Sequence, residues 1–202
     1  MKTGMKNEIQ IAARMTLATL VLTGLLYPLA VTGLAHLLFP RQAAGSFVES
    51  EGRTVGSAWI GQSFTNPAYF QGRPSAAGAN GYDAAASSGS NLGPSSGKLR
   101  DRVAAGVAKL LAENPQAPGP VPLELVTTSA SGLDPHLSPE AARWQAPRVA
   151  AARGAAPAEV QAVLDAYVEP RTWGFLGEPR VNVLRVNLAL DHRFGKPAGS
   201  PP

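Results

Sequence analysis

Between Arg14 and Arg41 the chain carries no Asp, Glu, Lys or Arg, and inside that gap Met15 to Leu38 reads MTLATLVLTGLLYPLAVTGLAHLL. A helix of about 24 residues rising ~1.5 Å each reaches roughly 36 Å, enough to cross a ~30 Å hydrocarbon core with some tilt. The stretch therefore reads as a transmembrane helix. A secretory signal would have a shorter apolar region, about 7 to 15 residues, ending in an A-x-A-like site. Here Arg41 occupies the minus-three position for cleavage after Ala43, which favours a retained anchor.

The flanks predict an orientation. Lys2, Lys6 and Arg14 precede the span against the single acid Glu8, whereas Arg41 and Arg53 mix with Glu49 and Glu51 just after it. The positive-inside rule then keeps the N-terminus in the cytoplasm and sends everything beyond Phe39 outside. Within the span, Tyr27-Pro28 with Gly24 and Gly33 nearby predicts a kink or a small-residue face for a neighbouring helix.

Roughly 160 residues remain beyond the span, the size of one ordinary domain. The sequence has no cysteine, so neither disulfides nor thiol chemistry contribute and an apolar core must hold the domain. The pI of about 9.7 suggests nucleic acid until the charges are located. Beyond Phe39 lie 15 basic and 13 acidic residues with no Lys/Arg run, so nucleic acid is not expected as a partner.

Thr54 to Ile60 reads as a short strand. A loop rich in Gly, Ser, Asn and Pro follows from Gly61 to about Pro94, yet it contains Phe64, Tyr69, Phe70 and Tyr82. Aromatics spaced through such a segment predict an ordered loop packed by its own side chains. Leu99 to Glu113 has the helical spacing of a core helix, ended by Asn114-Pro115. Val121 to Thr127 looks like a strand running into a turn at Ser129–Gly132. A helix begins at Ser138-Pro139-Glu140, with Ser as cap, and Pro147 predicts a break into two short helices or a kink before Gly154. Pro157 to Val168 reads as a further helix. Val181 to Leu190 alternates as a strand whose parity slips at Leu184-Arg185, predicting a bulge or a strand buried on both faces.

Catalytic patterns are incomplete. Gly93 to Lys98 falls one residue short of a phosphate-binding loop, and Leu99 stands where a hydroxyl residue would hold magnesium. Ser95 to Lys98 matches S-x-x-K without a following K-T-G, and Ser131 with His136 lacks a nucleophile elbow. His36, His136 and His192 lie too far apart in sequence to suggest a metal site. No residue is assigned to catalysis. What stands out is the amount of specified loop at Gly61–Phe64, Tyr69–Ser75 and Ser129–Pro135, whose amides and hydroxyls suit either cradling an anion or docking on a protein.

These segments, taken in order, resemble one family closely: the C chain of the Kdp potassium-transporting ATPase, the bacterial high-affinity potassium uptake complex. The resemblance runs from the single N-terminal span through Gly56–Gln62, Tyr69-Phe70, Gly72–Ala76, Ser88–Leu92 and Ser131–Pro135. It continues through Gln145, Arg148–Ala150, Arg153, Gly177–Leu184 and Asn187–Asp191, with Ala130 standing where the family often has Gly and Ala151 where Lys is common.

The residues and the resemblance together lead to an expected α+β protein: a cytoplasmic tail over 1–14, a transmembrane helix over 15–39, one extracytoplasmic mixed α/β domain with long ordered loops over 40–195, and a disordered tail over 196–202. The resemblance implies a non-catalytic subunit of a bacterial inner-membrane complex. Its partners would be a channel-like potassium-binding subunit, a P-type ATPase subunit and a small single-span subunit. As a catalytic chaperone it would raise the ATP affinity of the ATPase subunit, with no tightly bound cofactor and with ATP entering only a transient ternary complex. If the domain lies outside, that effect must be indirect. The loop candidates for a bound nucleotide or anion are Ser129, Ser131, Gly132 and Gln145. The candidates for a partner interface are Gln62, Phe70, Arg73, Asp134 and Arg148. Arg73, Asp134, Gln145 and Arg148 are equally of the type that caps loops internally, and Asp134 can close an Asx turn before Pro135. The alternatives are a membrane-anchored serine hydrolase using Ser95 and Lys98 or Ser131 and His136, and a small-anion-binding module.

Overall fold

The computed structural model describes residues 2–198, with side chains described from residue 4 onward, and its chain divides into two compact units between Phe47 and Val48. The first unit is almost wholly helical: α1 (Lys2–Val21), a π-helical turn (Leu22–Leu26), α2 (Tyr27–Leu38) and the short α3 (Pro40–Ala43). Gly4–Leu38 forms one run long and apolar enough to cross a membrane, and none of its apolar window is buried in the chain. The π turn sits immediately before Tyr27-Pro28. Proline cannot donate to the carbonyl one turn back, and a widened turn is a recurrent way for a helix to absorb that defect.

At the start of the second unit lies a hairpin of β1 (Phe47–Ser50), whose first residue is the last of the first unit, and β2 (Arg53–Ser57), joined by Glu51 and Gly52 at φ +53° and +75°. Two positive φ angles are what a two-residue type I′ turn requires. Its remaining elements are α4 (Gly97–Glu113), a 3₁₀ turn (Leu123–Leu125), β3 (His136–Leu137), α5 (Pro139–Arg153), α6 (Pro157–Ala166), β4 (Val168–Glu169), β5 (Arg180–Asn182) and α7 (Val183–Phe194). The strands β3-β5-β4 make a small antiparallel sheet, with Val181 opposite both Leu137 and Val168. Helices α5 and α7 pack on it, and α6 packs on both of those helices. Ala141, Ala142, Ala146 and Ala150 are buried along α5, where small side chains let the helix approach Val160 and Leu164 of α6 and Val186 and Leu190 of α7.

Four sequence expectations are corrected. Val121–Thr127 is not a strand: Leu125 N–H bonds the Pro122 carbonyl at 3.0 Å and Thr127 Oγ1 donates to the Leu123 carbonyl at 2.9 Å, curling the segment. Pro122 leaves it one donor short for a ladder, and Pro120 precedes it. Helix α5 is one helix through Pro147 rather than two short ones. One hydrogen bond is forfeited there, but Ala146, Arg148 and Val149 are all buried and hold the helix together. Val181–Leu190 is mostly helix: Asn182 Oδ1 accepts from Arg185 N–H at 3.1 Å and caps α7, and the slipped parity is the spacing of Val183, Val186 and Leu190 on one helical face. Finally, α4 has no fully buried residue and Leu111 is 46% exposed, so it is a peripheral helix rather than a core one.

The other ends fall where their residues predict. Ser138 Oγ accepts from Ala141 N–H at 3.1 Å at the start of α5, and Gly154, at φ +62°, closes it. In the expected tail, Lys196 pairs with Glu51 at 2.6 Å and the Ala198 carbonyl accepts from Asn66, while residues 199–202 lie outside the described residues.

Candidate functional site

The loop from Gly61 to Pro94 has neither helix nor strand, yet its backbone polar groups are heavily bonded. Its central piece, Pro67 to Gln71, is buried from Ala68 to Phe70 and is held by side chains acting in place of neighbouring strands. Asn187 of α7 accepts from Phe70 N–H at 2.8 Å and donates to the Phe70 carbonyl at 2.9 Å. Gln145 of α5 does the same to Gln71, at 2.9 and 3.0 Å. Arg148, one turn along α5, donates to the carbonyls of Pro67 (2.6 Å) and Tyr69 (3.2 Å) and to Gln145 Oε1 (2.8 Å). Arg153 completes the clamp by donating to the Ala68 carbonyl at 2.7 Å and pairing with Asp191 at 2.8 Å, under the Tyr69 ring. Tyr69 in turn donates its hydroxyl to Asp191 at 2.8 Å.

Buried backbone groups need partners, and an irregular segment finds them only if side chains supply them. Primary amides are suited to this because each presents one donor and one acceptor side by side, like a strand neighbour. Burial lowers the pKa of Arg148, yet three acceptors surround its guanidinium.

A second knot joins this loop to Ser129–His136. Ser75 Oγ donates to the Gly132 carbonyl at 2.6 Å and accepts from the amides of Tyr82 (2.7 Å) and Ala77 (3.1 Å). Ser88 N–H and Ser87 Oγ both donate to the Ser131 carbonyl, and Gly61 N–H donates to that of Leu133 at 2.7 Å. Asp134 accepts from His136 N–H at 3.0 Å, closing the Asx turn its position before Pro135 predicts, and faces Arg73 at 3.5 Å. Burial works against the Asp134 charge, but His136 and Arg73 outweigh it and hold the carboxyl below its ordinary range.

Burial, with the Asp134 charge beside it, pushes the Tyr82 phenol up to about 12, and its hydroxyl donates to the Arg73 carbonyl at 2.5 Å. A folded pKa above the unfolded value of about 10 means that stability is intact below pH ~10 and falls as pH rises from there towards 12. Urea midpoints measured across that window should decline, and Tyr82→Phe should flatten the decline. An equally steep alkaline limb in the variant would remove Tyr82 as its source.

The candidate loop residues are thus mostly engaged internally. Ser129 Oγ accepts from Gly132 N–H and Ser131 Oγ from Leu133 N–H, while Gly132 is closed in against Ser88 and Ala77. Gln145 and Arg148 are buried in the clamp. Phe70, expected at a partner interface, is 0% exposed and belongs to the core, because the clamp turns its side chain inward. Gln62 donates to the Val55 carbonyl at 3.3 Å, and Arg73 to that of Thr128 at 3.2 Å. Arg153 and Asn187 are the clamp members that were assigned no role from sequence. Asn187 lay in a segment read as a strand, where its helical neighbourhood with Val183 and Val186 was the overlooked signal.

Ser131 and His136 share no hydrogen bond among the described residues, and His136 Nδ1 lies 3.6 Å from Asp134 instead. Among the described residues no group of three or more His, Asp or Glu could hold a metal ion. Two open depressions flank the clamp, of about 690 Å³ beside Tyr69 and Asp191 and about 590 Å³ beside Arg73 and Tyr82.

Comparison with known proteins identifies the family. The family described as "KdpC: K+-transporting ATPase, c chain" matches residues 9–192. The potassium-transporting ATPase KdpC subunit of Myxococcus xanthus is 70% identical over 185 residues, covering 91% of this chain and 87% of that one. The KdpC subunit of Methylobacterium nodulans is 56% identical over 190 residues, covering 89% and 94%. That of Caulobacter vibrioides is 57% identical over 175 residues, covering 86% and 87%. With a match across nearly its whole length and relatives at this identity, the chain belongs to the KdpC family of potassium-transporting ATPase subunits.

Proposed function

We propose that this chain is a non-catalytic accessory subunit of an ATP-driven potassium import complex, anchored in the bacterial inner membrane by its N-terminal helix. Its N-terminus lies in the cytoplasm and its folded domain outside. There it docks on the outer face of a channel-like subunit, alongside a P-type ATPase subunit and a small single-span subunit, and supports assembly of the complex. It raises the ATP affinity of the ATPase subunit as a catalytic chaperone, without holding ATP tightly itself. The single observation that carries this reading is the internal satisfaction of the loops. Ser129, Ser131, Gly132 and Gln145 spend their side chains or backbone groups on the domain itself, which suits a preformed docking body better than a nucleotide cradle.

An indirect effect on ATP needs no contact with it. A subunit that binds the ATP-competent state of its partner more tightly than the alternative raises apparent ATP affinity by linkage, up to its own differential affinity for the two states. Any ternary complex with ATP is transient on this account.

Topology is the decisive test. Ser131 is exposed and the sequence has no cysteine, so Ser131→Cys gives a single site for a membrane-impermeant maleimide. Labelling in intact cells is expected. Protection until lysis, with the complex still assembled, would put the domain in the cytoplasm and replace the indirect mechanism with direct nucleotide contact.

A further inference from the structure

Between β4 and β5 the chain makes an excursion that the core does not use. Thr172 and Leu176 bond each other through both backbone pairs at 2.9 and 3.0 Å, and Gly174 N–H bonds the Arg171 carbonyl at 3.0 Å. Arg171 and Glu178 close the base as an ion pair at 2.5 Å, and the strands on either side are anchored in the buried sheet. This rigid finger carries Trp173 82% exposed, Phe175 68% and Leu176 45%, and Trp173 is the most exposed large apolar side chain among the described residues. The two rings lean on each other at 6.5 Å and on nothing in the core.

Trp173 also sits at φ +54°, a backbone conformation that bulky side chains disfavour. Strain of this kind is kept where surrounding structure or a binding event compensates it. Trp173 and Gly174, at φ +54° and +83°, are the central residues of the turn that Phe175 N–H closes on the Thr172 carbonyl at 3.3 Å, so the hairpin itself holds the tip in this form. Exposed tryptophan with flanking apolar side chains is the composition of a binding hot spot.

We propose that the Trp173–Leu176 finger is the anchor by which the folded domain docks into an apolar pocket of another membrane subunit of the same complex. The inference rests on the accessory-subunit reading above and names the contact that reading requires. Area and charge select this occupant. Two aromatic rings at ~150–250 Å² each, with a partly exposed leucine, offer at most about 500 Å², short of the ~800 Å² that each partner of a standard interface buries. The finger therefore needs a second attachment on the same chain, and the unburied apolar helix Gly4–Leu38 supplies one to a partner that also resides in the membrane. The tip residues 173–177 are uncharged, and Arg171 is neutralised by Glu178, so the finger has no cationic excess to draw it to anionic lipid headgroups. An apolar protein pocket suits it better.

A photo-crosslinking benzophenone amino acid placed at position 173 of the full chain, in membranes containing the whole complex, should crosslink to another subunit. Trp173→Ala with Phe175→Ala should lower recovery of the other subunits through a tag on this chain at least tenfold, with the thermal unfolding of the isolated chain unchanged because both side chains are exposed. Crosslinks to lipid alone, or undiminished recovery of the complex, would overturn the finger's role and leave the subunit reading standing. If the tagged wild type recovered no other subunit, the reading beneath it would fall as well.

Discussion

Asn187→Leu is expected to destabilise the domain by about 3–5 kcal/mol, although the side chain barely changes size. Asn187 is 1% exposed, and its amide satisfies both the N–H and the carbonyl of Phe70. Leucine leaves both backbone groups buried without partners, at roughly 1–3 kcal/mol each, and its own apolar burial recovers only part of that. Urea unfolding of the purified chain, followed by tryptophan fluorescence, reads the change directly. The loss should be accompanied by faster proteolysis within residues 66–72, because the clamp fastens that segment more than it fastens the helices. A change below about 1 kcal/mol would mean that water takes over the amide's role.

Gly132→Ala should cost more than about 3 kcal/mol, lowering the melting temperature by roughly 10 °C for a domain of this size. A Cβ on Gly132 would lie 2.5 Å from the Ser88 carbonyl oxygen and 2.8 Å from the Ala77 nitrogen, and both are backbone atoms that cannot rotate away. Its φ of +68° adds the left-handed penalty. Gly154→Ala is the matched control. At φ +62° it bears the same penalty with open space around the new carbon, so about 1 kcal/mol is expected. Melting curves of the two variants side by side separate backbone strain from the clash. Equal shifts would show that the Ser75–Gly132–Ser88 knot yields easily and carries little of the loop's order.

Both predictions concern groups whose types were visible in the sequence but whose partners were not. Ser138 and Gly154 bracket α5 through bonds to residues within five positions, and Asp134 closes a turn on His136. Those contacts are local, so composition and spacing suffice to predict them. The errors have the opposite character. Val181–Leu190 contains enough β-branched and alternating residues to suit a strand, and the choice of helix depends on Asn182 capping it while also donating to Ala58, 124 positions away. Likewise Pro147 reads as a breaker, but its flanking residues are fixed by contacts with segments far along the chain, and those contacts outweigh one missing hydrogen bond.

The candidate site divides along the same line. Gln145, Arg148, Gly132 and Asp134 could be singled out because they lie in specified loops or in segments resembling the family. Arg148 and Gln145 proved to face inward because helix α5 presents them to a loop some 74 to 81 positions earlier. The exposure of Trp173 and Phe175 depends on the hairpin at Thr172–Leu176, which carries them away from the core.

By itself the sequence determined the long, apolar character of the first helix, the absence of thiol chemistry, the capped helix starts and the family. These depend on uninterrupted hydropathy, on residue identity and on contacts a few positions apart. Only the tertiary structure decided that the glycine- and serine-rich loops close on themselves, that Asn187 and Gln145 take the place of strands, and that an aromatic finger is left facing outward. Such outcomes depend on which distant backbone groups must share buried partners, and that pairing exists only once the helices have been brought together.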